Sequence, residues 1–230
     1  MFTIVIPTYN EKDNLPKLVE KIIRISKNKA NILIVDDNSP DGTGDVAEKL
    51  KRKYKKITVL HRKQKTGLGS AILDGFRNCK TDIIGVIDAD LSHPPELIPE
   101  MIKAIDSKEI VIASRYAEGG GTSENWSSFR LLVSKSAIIL TKPLTGVRDP
   151  MSGFFFTRKK LIDKANLEPV SCKICLEILV KCKIKDFKEV PYIFINRESG
   201  ESKILNRTEI SNYIKHLFKL YIYKVKNSVG

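Results

Sequence analysis

Residues 83–96 read IIGVIDADLSHPPE, and this stretch indicates both the fold and the chemistry of the chain. Its first five residues are an apolar run rich in β-branched side chains, which predicts a short buried strand. Because side chains alternate along a strand, Asp88 and Asp90 should point to the same side where the strand ends. Two close carboxylates repel each other unless a cation lies between them, and a hard divalent cation prefers oxygen ligands. Such a cation can bridge to a diphosphate, so the stretch predicts chemistry on a phosphate-bearing substrate.

Strand-like and helix-like segments alternate through the first half of the chain. Short apolar runs predict strands at 3–6, 32–35, 57–60, 83–87 and 110–113, and apolar residues at helical spacing predict helices at 14–25, 43–53, 69–78 and 95–105. This alternation predicts an α/β fold, with a mainly parallel, Rossmann-like sheet and helices on both of its faces.

The second half of the sequence is less regular. We expect a Gly-rich loop at 118–125, a turn into an aromatic strand at 149–156, a strand at 190–195, and helices at 126–141, 173–181 and 208–226. A chain of 230 residues suits one α/β domain with an appendage. We therefore predict a catalytic domain at 1–205 and a basic amphipathic C-terminal helix at 206–230.

The polar residues that follow the predicted strands should lie close together. They occur at 7–11, 36–43, 65–69, 88–90 and 114–116. In sheets of this kind, ligands bind beyond the carboxyl ends of the strands. This clustering, more than any single motif, predicts an active site at that edge.

The acidic motifs also have simpler interpretations. Asp88 and Asp90 could cap the helix that follows them, and Asp37 could belong to an Asx-type turn. A phosphatase of the haloacid dehalogenase type has the same aspartate spacing, but its pair follows the first strand and this pair follows the fourth. The functional interpretation of Asp37 is a carboxylate that accepts hydrogen bonds from a ribose or a base, with the Tyr9 ring packed on the base.

Cationic residues complete the predicted site, namely Arg115, Arg130, Arg197 and Lys203. An arginine presents a planar fork that matches phosphate oxygens, whereas a lysine supplies a point charge. Ser134 lies four residues after Arg130, so the two should share a helix face and could hold one anion together.

The formal net charge of +13 is compatible with a nucleic acid, an anionic membrane or an anionic substrate as partner. Much of the excess is lysine scattered on predicted helix faces, and we find no nucleic-acid-binding motif, so we predict no nucleic-acid partner. No run approaches the roughly 20 apolar residues that a membrane span needs, and the first residues do not resemble a signal peptide. We expect a protein that is made and kept in the cytosol.

The four cysteines lie at 79, 172, 175 and 182. The CxxC at 172–175 could be redox-active or half of a zinc site, but the sequence has no second CxxC. We therefore expect reduced, buried thiols.

The predicted C-terminal helix carries both apolar and basic side chains. Its apolar stripe contains Ile210, Ile214, Leu217, Tyr221 and Val225, broadened by Tyr213, Phe218 and Tyr223. Its basic residues, beside or opposite that stripe, are Lys215, His216, Lys219, Lys224 and Lys226. The helix either packs on the domain or lies in a lipid interface.

Together these motifs resemble glycosyltransferase family 2, and within it the dolichol-phosphate mannose synthases and related polyprenyl-phosphate glycosyltransferases. The resemblance is carried by PTYNE at 7–11, VDDNSPDGT at 35–43, GLG at 67–69, DADLSHPPE at 88–96, SRY at 114–116, WSSFR at 126–130, DPMSGFF at 149–155, and Arg197 with GESK at 200–203. It therefore covers nearly the whole of the predicted catalytic domain.

The resemblance implies a GT-A fold and an inverting, metal-dependent transfer of a sugar to a dolichyl or polyprenyl phosphate. It favours mannose from the nucleotide sugar GDP-mannose, and it implies Mg²⁺ or Mn²⁺ as cofactor. UDP-glucose or UDP-N-acetylglucosamine is the alternative donor, and a basic membrane or nucleic-acid adaptor is the alternative that is not an enzyme. The expected location is peripheral, on the cytoplasmic face of the membrane surface, either unaided or through a separate membrane-anchor protein.

The resemblance also implies roles for particular residues. Nucleotide-sugar contacts would come from Pro7, Tyr9, Glu11, Val35, Asp37, Asp88, Ala89, Asp90, Arg115, Lys173, Arg197 and Lys203. The metal would be held by Asp88, Asp90 and Ser92, where many relatives have Gln at the position of Ser92 and a water could bridge the shorter side chain. The catalytic set would be Asp90, Arg115, Arg130, Ser134 and Arg197, with the arginines and the serine on the acceptor phosphate.

Overall fold

The computed structural model describes residues 1–122, 128–168, 173–195 and 207–227, and in the helices that begin at 128 and 207 it describes side chains from 134 and 211 onward. This part of the chain contains the strands β1 (Phe2–Thr8), β2 (Ala30–Asp36), β3 (Ile57–His61), β4 (Ile83–Val86), β5 (Ile110–Ser114), β6 (Gly121–Thr122), β7 (Phe155–Arg158), β8 (Phe187–Pro191) and β9 (Ile193–Phe194). Seven of them form one sheet in the order β3-β2-β1-β4-β7-β5-β8, and β6 pairs with β9 in a small second sheet.

The large sheet is parallel except at one strand. The pairs β1–β2, β1–β4, β2–β3 and β5–β8 are parallel, whereas β7 is antiparallel to both β4 and β5. Gly85 in β4 makes room for this insertion, because a Cβ at that position would lie 2.3 Å from the Phe156 ring of β7. The predicted mainly parallel α/β sheet is confirmed, and the antiparallel strand is a feature that the alternation in the first half did not indicate.

The described helices are α1 (Leu15–Ile25), α2 (Thr43–Lys53), α3 (Leu68–Asn78), α4 (Ile98–Ile105), α5 (Ser128–Ile139), α6 (Lys159–Lys164), α7 (Ile174–Lys181) and α8 (Arg207–Lys226), with a 3₁₀ turn at Pro95–Leu97 before α4. One hydrophobic cluster joins α1, α2 and α4 to the sheet, and a second joins α3, α6 and α7 to it. Removal of these apolar helix faces from water is the main force that holds the layers together. Helices therefore cover both faces of the sheet, as the sequence predicts.

The prediction of one strand at 190–195 is wrong. β8 ends at Pro191 and β9 begins at Ile193, and the two strands belong to different sheets. The continuous apolar run hides this change of sheet, and Pro191 marks it because proline has no N–H group to continue a ladder. β9 instead pairs with β6, which lies inside the segment that the glycines at 119–121 predict to be a loop.

α8 packs on the rest of the chain with one of its faces. Leu217 and Leu220 are buried in a cluster with apolar residues of α7. Ile214 and Phe218, by contrast, are 57% and 66% exposed. The apolar stripe predicted from the sequence is thus divided, because Leu217 faces the domain while Ile214 faces outward. No helix in the described ranges is long and apolar enough to cross a membrane.

A buried ion pair accompanies this helix packing. His216 of α8 has its Nε2 3.5 Å from Glu177 Oε2 of α7, and Lys181 Nζ lies 2.8 Å from Glu177 Oε1. Burial by itself would raise the pKa of Glu177, but the neighbouring His216 and Lys181 outweigh it and the pKa is lowered. His216 therefore belongs to the packed face of α8 and not to its basic surface.

The described cysteines are free thiols. Cys79 and Cys175 are buried and Cys182 is half-buried. Burial raises the pKa of Cys79 to about 12 and that of Cys182 to about 11, so both stay protonated at neutral pH. Cys172 lies outside the described residues, and the interpretation of the CxxC pair rests on the sequence alone.

Candidate active site

One edge of the large sheet gathers the segments that the sequence singles out. Residues 8–11, 36–43 and 88–92 follow the carboxyl ends of β1, β2 and β4, which are neighbours, and residues 114–116 follow β5. Since β7 runs in the opposite direction, the segment before it, residues 149–154, approaches the same edge. The topology therefore places acidic and cationic residues from both halves of the chain together.

Asp37 is buried within hydrogen bonds that shape the loop between β3 and α3. Its Oδ1 accepts from Arg62 Nη1 at 2.6 Å and from the Thr66 N–H at 3.2 Å, and its Oδ2 accepts from the Gly67 N–H at 3.0 Å. Arg62 also donates through Nη2 to the hydroxyls of Thr66 and Ser70. The side chains of Arg62 and Asp37 are 11% and 5% exposed, so this ion pair is largely desolvated. Asp37 thus holds the loop in place.

The other residues predicted to contact a nucleoside lie beside Asp37. Pro7 and Val35 pair in register in β1 and β2, and both are buried, so their contact with a ligand stays a prediction. Tyr9 is half-buried, and Lys65 Nζ lies 3.6 Å from the centre of its ring. Glu11 is half-buried in the turn that leads into α1.

Asp88 is the more open of the two carboxylates after β4. Its side chain is 27% exposed, and a Cβ on Gly153 would lie 2.7 Å from its Oδ2. The carboxylate therefore packs against the Gly153 backbone, in a position that a side chain at 153 would displace. The buried ring of His93 faces the same oxygen, with Nε2 at 3.4 Å.

Asp90 is 4% exposed and is oriented by its neighbour two residues later. Its Oδ1 accepts hydrogen bonds from the Ser92 N–H at 3.1 Å and from the Ser92 hydroxyl at 2.6 Å. Leu91 between them has a φ of 60°, in the left-handed region that non-glycine residues seldom adopt and that recurs at functional sites. Ser92 thus orients the Asp90 carboxylate, and direct contact between Ser92 and a metal stays a prediction. Ala89, between the two aspartates, is 3% exposed.

Arg115 is fixed by an aspartate from the segment before β7. Its Nε and Nη2 each donate to Asp149 at 2.8 Å, and its backbone N–H donates to the same side chain at 3.0 Å. Asp149 is fully buried and Arg115 is 11% exposed. Burial opposes the charge on Arg115, but the hydrogen bonds and charge of Asp149 outweigh it and raise the pKa. The guanidinium is therefore a fixed cation, with Nη1 outside the pair.

The remaining predicted residues are only partly described. Ser134 Oγ lies 2.8 Å from the hydroxyl of Tyr116, which follows Arg115, so α5 contacts the edge of the sheet at this point. Arg130 lies in α5, where its side chain is not described. Lys173 is half-buried just before α7. Arg197 and Lys203 lie outside the described residues, so their predicted roles rest on the sequence.

The acidic pair after β4 suits a divalent cation that a ligand helps to hold. Within the described ranges, no three His, Cys, Asp or Glu side chains converge as a complete metal site. Mg²⁺ is commonly bound by one or two carboxylates together with substrate phosphates and waters. Asp88 and Asp90 supply carboxylates of that kind, and the Asp88 side chain is 27% exposed, so a ligand can reach it.

Sequence reasoning did not identify the partners that orient these groups. Arg62 holds Asp37, Asp149 holds Arg115, and Tyr192 contacts His93. Asp149 and His93 stand inside quoted motifs, but their partners are 34 and 99 positions away in the chain. A sequence pattern of local spacing carries no signal for such distant pairs.

The sheet and the charged residues at its edge define an α/β protein with a candidate ligand site. The chain belongs to glycosyltransferase family 2, because the family model "Glycosyl transferase family 2" matches residues 3–165. It is 41% identical over 224 residues to the dolichol-phosphate mannosyltransferase of Pyrococcus furiosus, covering 95% of this chain and 63% of that protein. It is 33% identical over 236 residues to the dolichol-phosphate mannosyltransferase of Saccharomyces cerevisiae, covering 97% of this chain and 88% of that one.

Solved structures of lower identity share the fold. Glucosyl-3-phosphoglycerate synthase from Mycobacterium tuberculosis, in complex with Mn²⁺, UDP-glucose and phosphoglyceric acid, has a TM-score of 0.70 at 16% identity, covering 97% of this chain and 79% of that one. Mannosyl-3-phosphoglycerate synthase from Rubrobacter xylanophilus has a TM-score of 0.70 at 19% identity, covering 99% of this chain and 74% of that one. The GT-A fold expected from the sequence is confirmed.

Proposed function

We propose that this chain transfers mannose from GDP-mannose to a dolichyl or polyprenyl phosphate, with inversion at the anomeric carbon. The observation that carries the proposal is the partly exposed carboxylate of Asp88, with the buried Asp90 two residues later, at the same sheet edge as the fixed cation of Arg115. The mannose and the lipid phosphate are supported by the names of the Pyrococcus and Saccharomyces relatives.

Asp88 and Asp90 would hold Mg²⁺ or Mn²⁺ together with the donor diphosphate, and the Mn²⁺ in the Mycobacterium structure supports this choice. When bound, the cation supplies Lewis-acid neutralisation of the departing diphosphate. The Ser92 hydroxyl donates a hydrogen bond to Asp90 Oδ1 and so fixes the orientation of that carboxylate. Tyr9 and the loop that Arg62 and Asp37 fix would receive the nucleoside, with Asp37 contributing through that loop.

The acceptor itself supplies the nucleophile. A phosphate monoester is already largely ionised near neutral pH, so alignment matters more than a general base. One of its oxygens forms a bond to the anomeric carbon from the face opposite the nucleotide, while the bond from that carbon to the diphosphate oxygen breaks. The nucleoside diphosphate leaves with the electron pair.

Two anions must approach each other in this reaction, and fixed cations reduce their repulsion. Arg115 is held by Asp149 so that Nη1 could meet a phosphate oxygen without a further loss of side-chain freedom. Arg130, Ser134 and Arg197 would complete the acceptor site, and Lys173 and Lys203 would contact the donor phosphates. Ser134 stands at this edge through its contact with Tyr116.

The outer face of α8 provides a surface for the membrane from which a lipid acceptor is drawn. Ile214, Phe218, Ile222 and Val225 follow one another at helical spacing and are 41–66% exposed. Ile139 and Leu140, at the end of α5, are exposed too, and the Tyr221 hydroxyl ties α8 to the Leu140 carbonyl at 2.5 Å. Lys215, Lys219 and Lys226 of α8 are exposed as well. An apolar stripe with flanking lysines suits an anionic bilayer.

A donor screen tests the catalytic proposal. The purified chain is incubated with GDP- and UDP-sugars, Mn²⁺ and a short polyprenyl phosphate, and lipid-linked sugar is measured. We expect transfer from GDP-mannose that is lost when the metal is chelated. Transfer from UDP-glucose or UDP-N-acetylglucosamine alone would replace the donor assignment, and anion binding with no transfer from any donor would favour the adaptor.

Vesicle flotation tests the membrane surface. We expect the chain to float with anionic vesicles at low salt and much less with zwitterionic ones. Phe218→Ser should reduce flotation, whereas Phe218→Leu should retain it, because only the first removes a large apolar side chain from the exposed stripe. Equal sedimentation with and without vesicles would contradict direct docking and favour a separate membrane-anchor protein.

A further inference from the structure

We propose that His93 is a positioning residue that fixes the Asp88 carboxylate relative to the end of β5, acting through Tyr192. The imidazole lies between the two groups, with Nε2 3.4 Å from Asp88 Oδ2 and Nδ1 2.8 Å from the Tyr192 hydroxyl. His93 is 3% exposed and Tyr192 is 4% exposed, so water does not compete for these contacts.

The partners of the ring determine its tautomer. An ionised carboxylate can only accept a hydrogen bond, so in the neutral imidazole the ring hydrogen belongs on Nε2, and Nδ1 then accepts from the Tyr192 hydroxyl. Burial raises the pKa of Tyr192 well above its ordinary value, so the phenol keeps the hydrogen that it donates. The polar contacts then run in one direction, from the Tyr192 hydroxyl through the His93 ring to the Asp88 carboxylate, which Nε2 faces at 3.4 Å.

Tyr192 is itself anchored to the opposite side of the site. Its N–H donates to the Ser114 carbonyl at 3.1 Å, and its carbonyl accepts from the Gly121 N–H at 3.0 Å. Ser114 directly precedes Arg115, the fixed cation. A chain of contacts therefore joins the open carboxylate after β4 to the residue before the cation after β5.

Aromatic packing prevents the His93 ring from turning away. The rings of Phe154 and Phe194 each meet it edge-on with centroids 5.8 Å away. Phe154 follows Gly153, whose backbone packs against the Asp88 carboxylate. The ring is thus held by packing and aimed by its two nitrogens, the arrangement by which outer residues orient metal-binding carboxylates.

The inference rests on the proposed function, because it requires Asp88 to bind the metal. The two can be tested separately by measuring free Mn²⁺ by electron paramagnetic resonance in the presence of GDP, without sugar transfer. If the unaltered chain binds no Mn²⁺, both proposals are overturned. If it binds Mn²⁺ and the variants below bind it equally well, only the positioning role fails.

Two substitutions of His93 separate the roles of its two ring nitrogens. The amide of Gln reaches about as far as Nε2 and can still donate to Asp88, whereas the amide of Asn reaches only as far as Nδ1. We expect His93→Asn to weaken Mn²⁺ binding by about 10- to 100-fold, the usual loss when such an outer residue is changed, and His93→Gln to stay within about threefold of the unaltered chain. Tyr192→Phe should weaken binding by at least about threefold.

Phe154→Leu is the packing control, since it removes one aromatic neighbour of His93 and leaves both ring nitrogens in place. Circular dichroism melts show whether each variant folds. Weaker Mn²⁺ binding in His93→Asn and Tyr192→Phe, but not in Phe154→Leu, supports the proposal. An equal loss in His93→Gln, His93→Asn and Phe154→Leu would reduce the role of His93 to packing and overturn it.

Discussion

Asp37 and Asp88 both follow a parallel strand of the same sheet, but their carboxylates have different surroundings. Asp37 accepts three hydrogen bonds, from Arg62 and from two backbone N–H groups, and its side chain is 5% exposed. Asp88 is 27% exposed, faces the His93 imidazole, and packs against a glycine whose replacement by any larger residue would displace it. Donors of the protein itself occupy the carboxylate after β2, whereas the carboxylate after β4 is accessible to a ligand.

Two similar acidic motifs therefore have different functions in this molecule. A carboxylate whose lone pairs are occupied by fixed donors builds the site, because moving it would leave a buried charge unpaired. A carboxylate with space in front of it can exchange water for a cation. The substitutions below test this division, from the largest expected effect to the smallest.

Asp90→Ala should abolish transfer, since it removes one of the two carboxylates proposed to hold the cation. The loss of a single charge-stabilising group already costs about 10²- to 10³-fold in rate, and here the metal site itself would be lost. Steady-state transfer at saturating Mn²⁺ measures the effect, and urea unfolding confirms that the variant is folded. Turnover at the rate of the unaltered chain would contradict the metal assignment.

Arg62→Met should mainly destabilise the fold, because it leaves Asp37 buried without its cation. Removal of one partner from a buried ion pair costs about 3–5 kcal/mol, which urea unfolding can measure. Arg77→Met is the control: its side chain is 64% exposed, and its partner is the half-buried Asp74, which Arg62 Nε also contacts at 3.1 Å. Surface pairs of this kind contribute about 0–1 kcal/mol. Addition of Asp37→Asn to Arg62→Met should recover part of the loss, and no recovery would argue against an unpaired charge as its cause.

Gly153→Ala should damage the open site while leaving the fold intact. The new Cβ would lie 2.7 Å from Asp88 Oδ2, so the carboxylate must move. A misplacement of this size in an active site lowers kcat/KM by about 10- to 100-fold. Gly146→Ala is the control, since its Cβ would approach only Phe187, at 3.9 Å. Similar kinetics in the two variants would show that Asp88 tolerates displacement.

The sequence predicts the architecture of this edge better than its internal contacts. Apolar runs and helical spacing locate β1 to β5 and α1 to α4 to within a few residues, because burial on both faces of a parallel sheet leaves a strong local pattern. The antiparallel β7 and the change of sheet at Pro191 leave a weaker trace. The Phe155 run is recognisable as a strand, but its direction and its neighbours depend on residues far away in the chain.

The same limit explains what was missed at the candidate site. Asp88 and Asp90 are found from local alternation, and Arg115 from its place after a strand. The sequence does not show that Asp149 already binds Arg115, because these residues are 34 positions apart. It also does not show that Arg62 binds Asp37, 25 positions away. Whether a carboxylate is open or filled is a property of tertiary packing, and no spacing rule contains it.

Lys65→Met should have the smallest effect of these substitutions. It tests whether the loop that Asp37 fixes leaves the Tyr9 ring available to a nucleoside. The loop that Asp37 fixes also carries Lys65, whose Nζ lies 3.6 Å from the centre of the Tyr9 ring. If a base stacks on that face of Tyr9, the ammonium must first leave it. Since an exposed contact of this kind is worth about 0.5–1 kcal/mol, its removal should lower the KM for the donor by about two- to fivefold. Lys63→Met, an exposed lysine in the same loop, is the control. A higher KM in Lys65→Met alone would mean that Lys65 binds the nucleotide and does not compete with it.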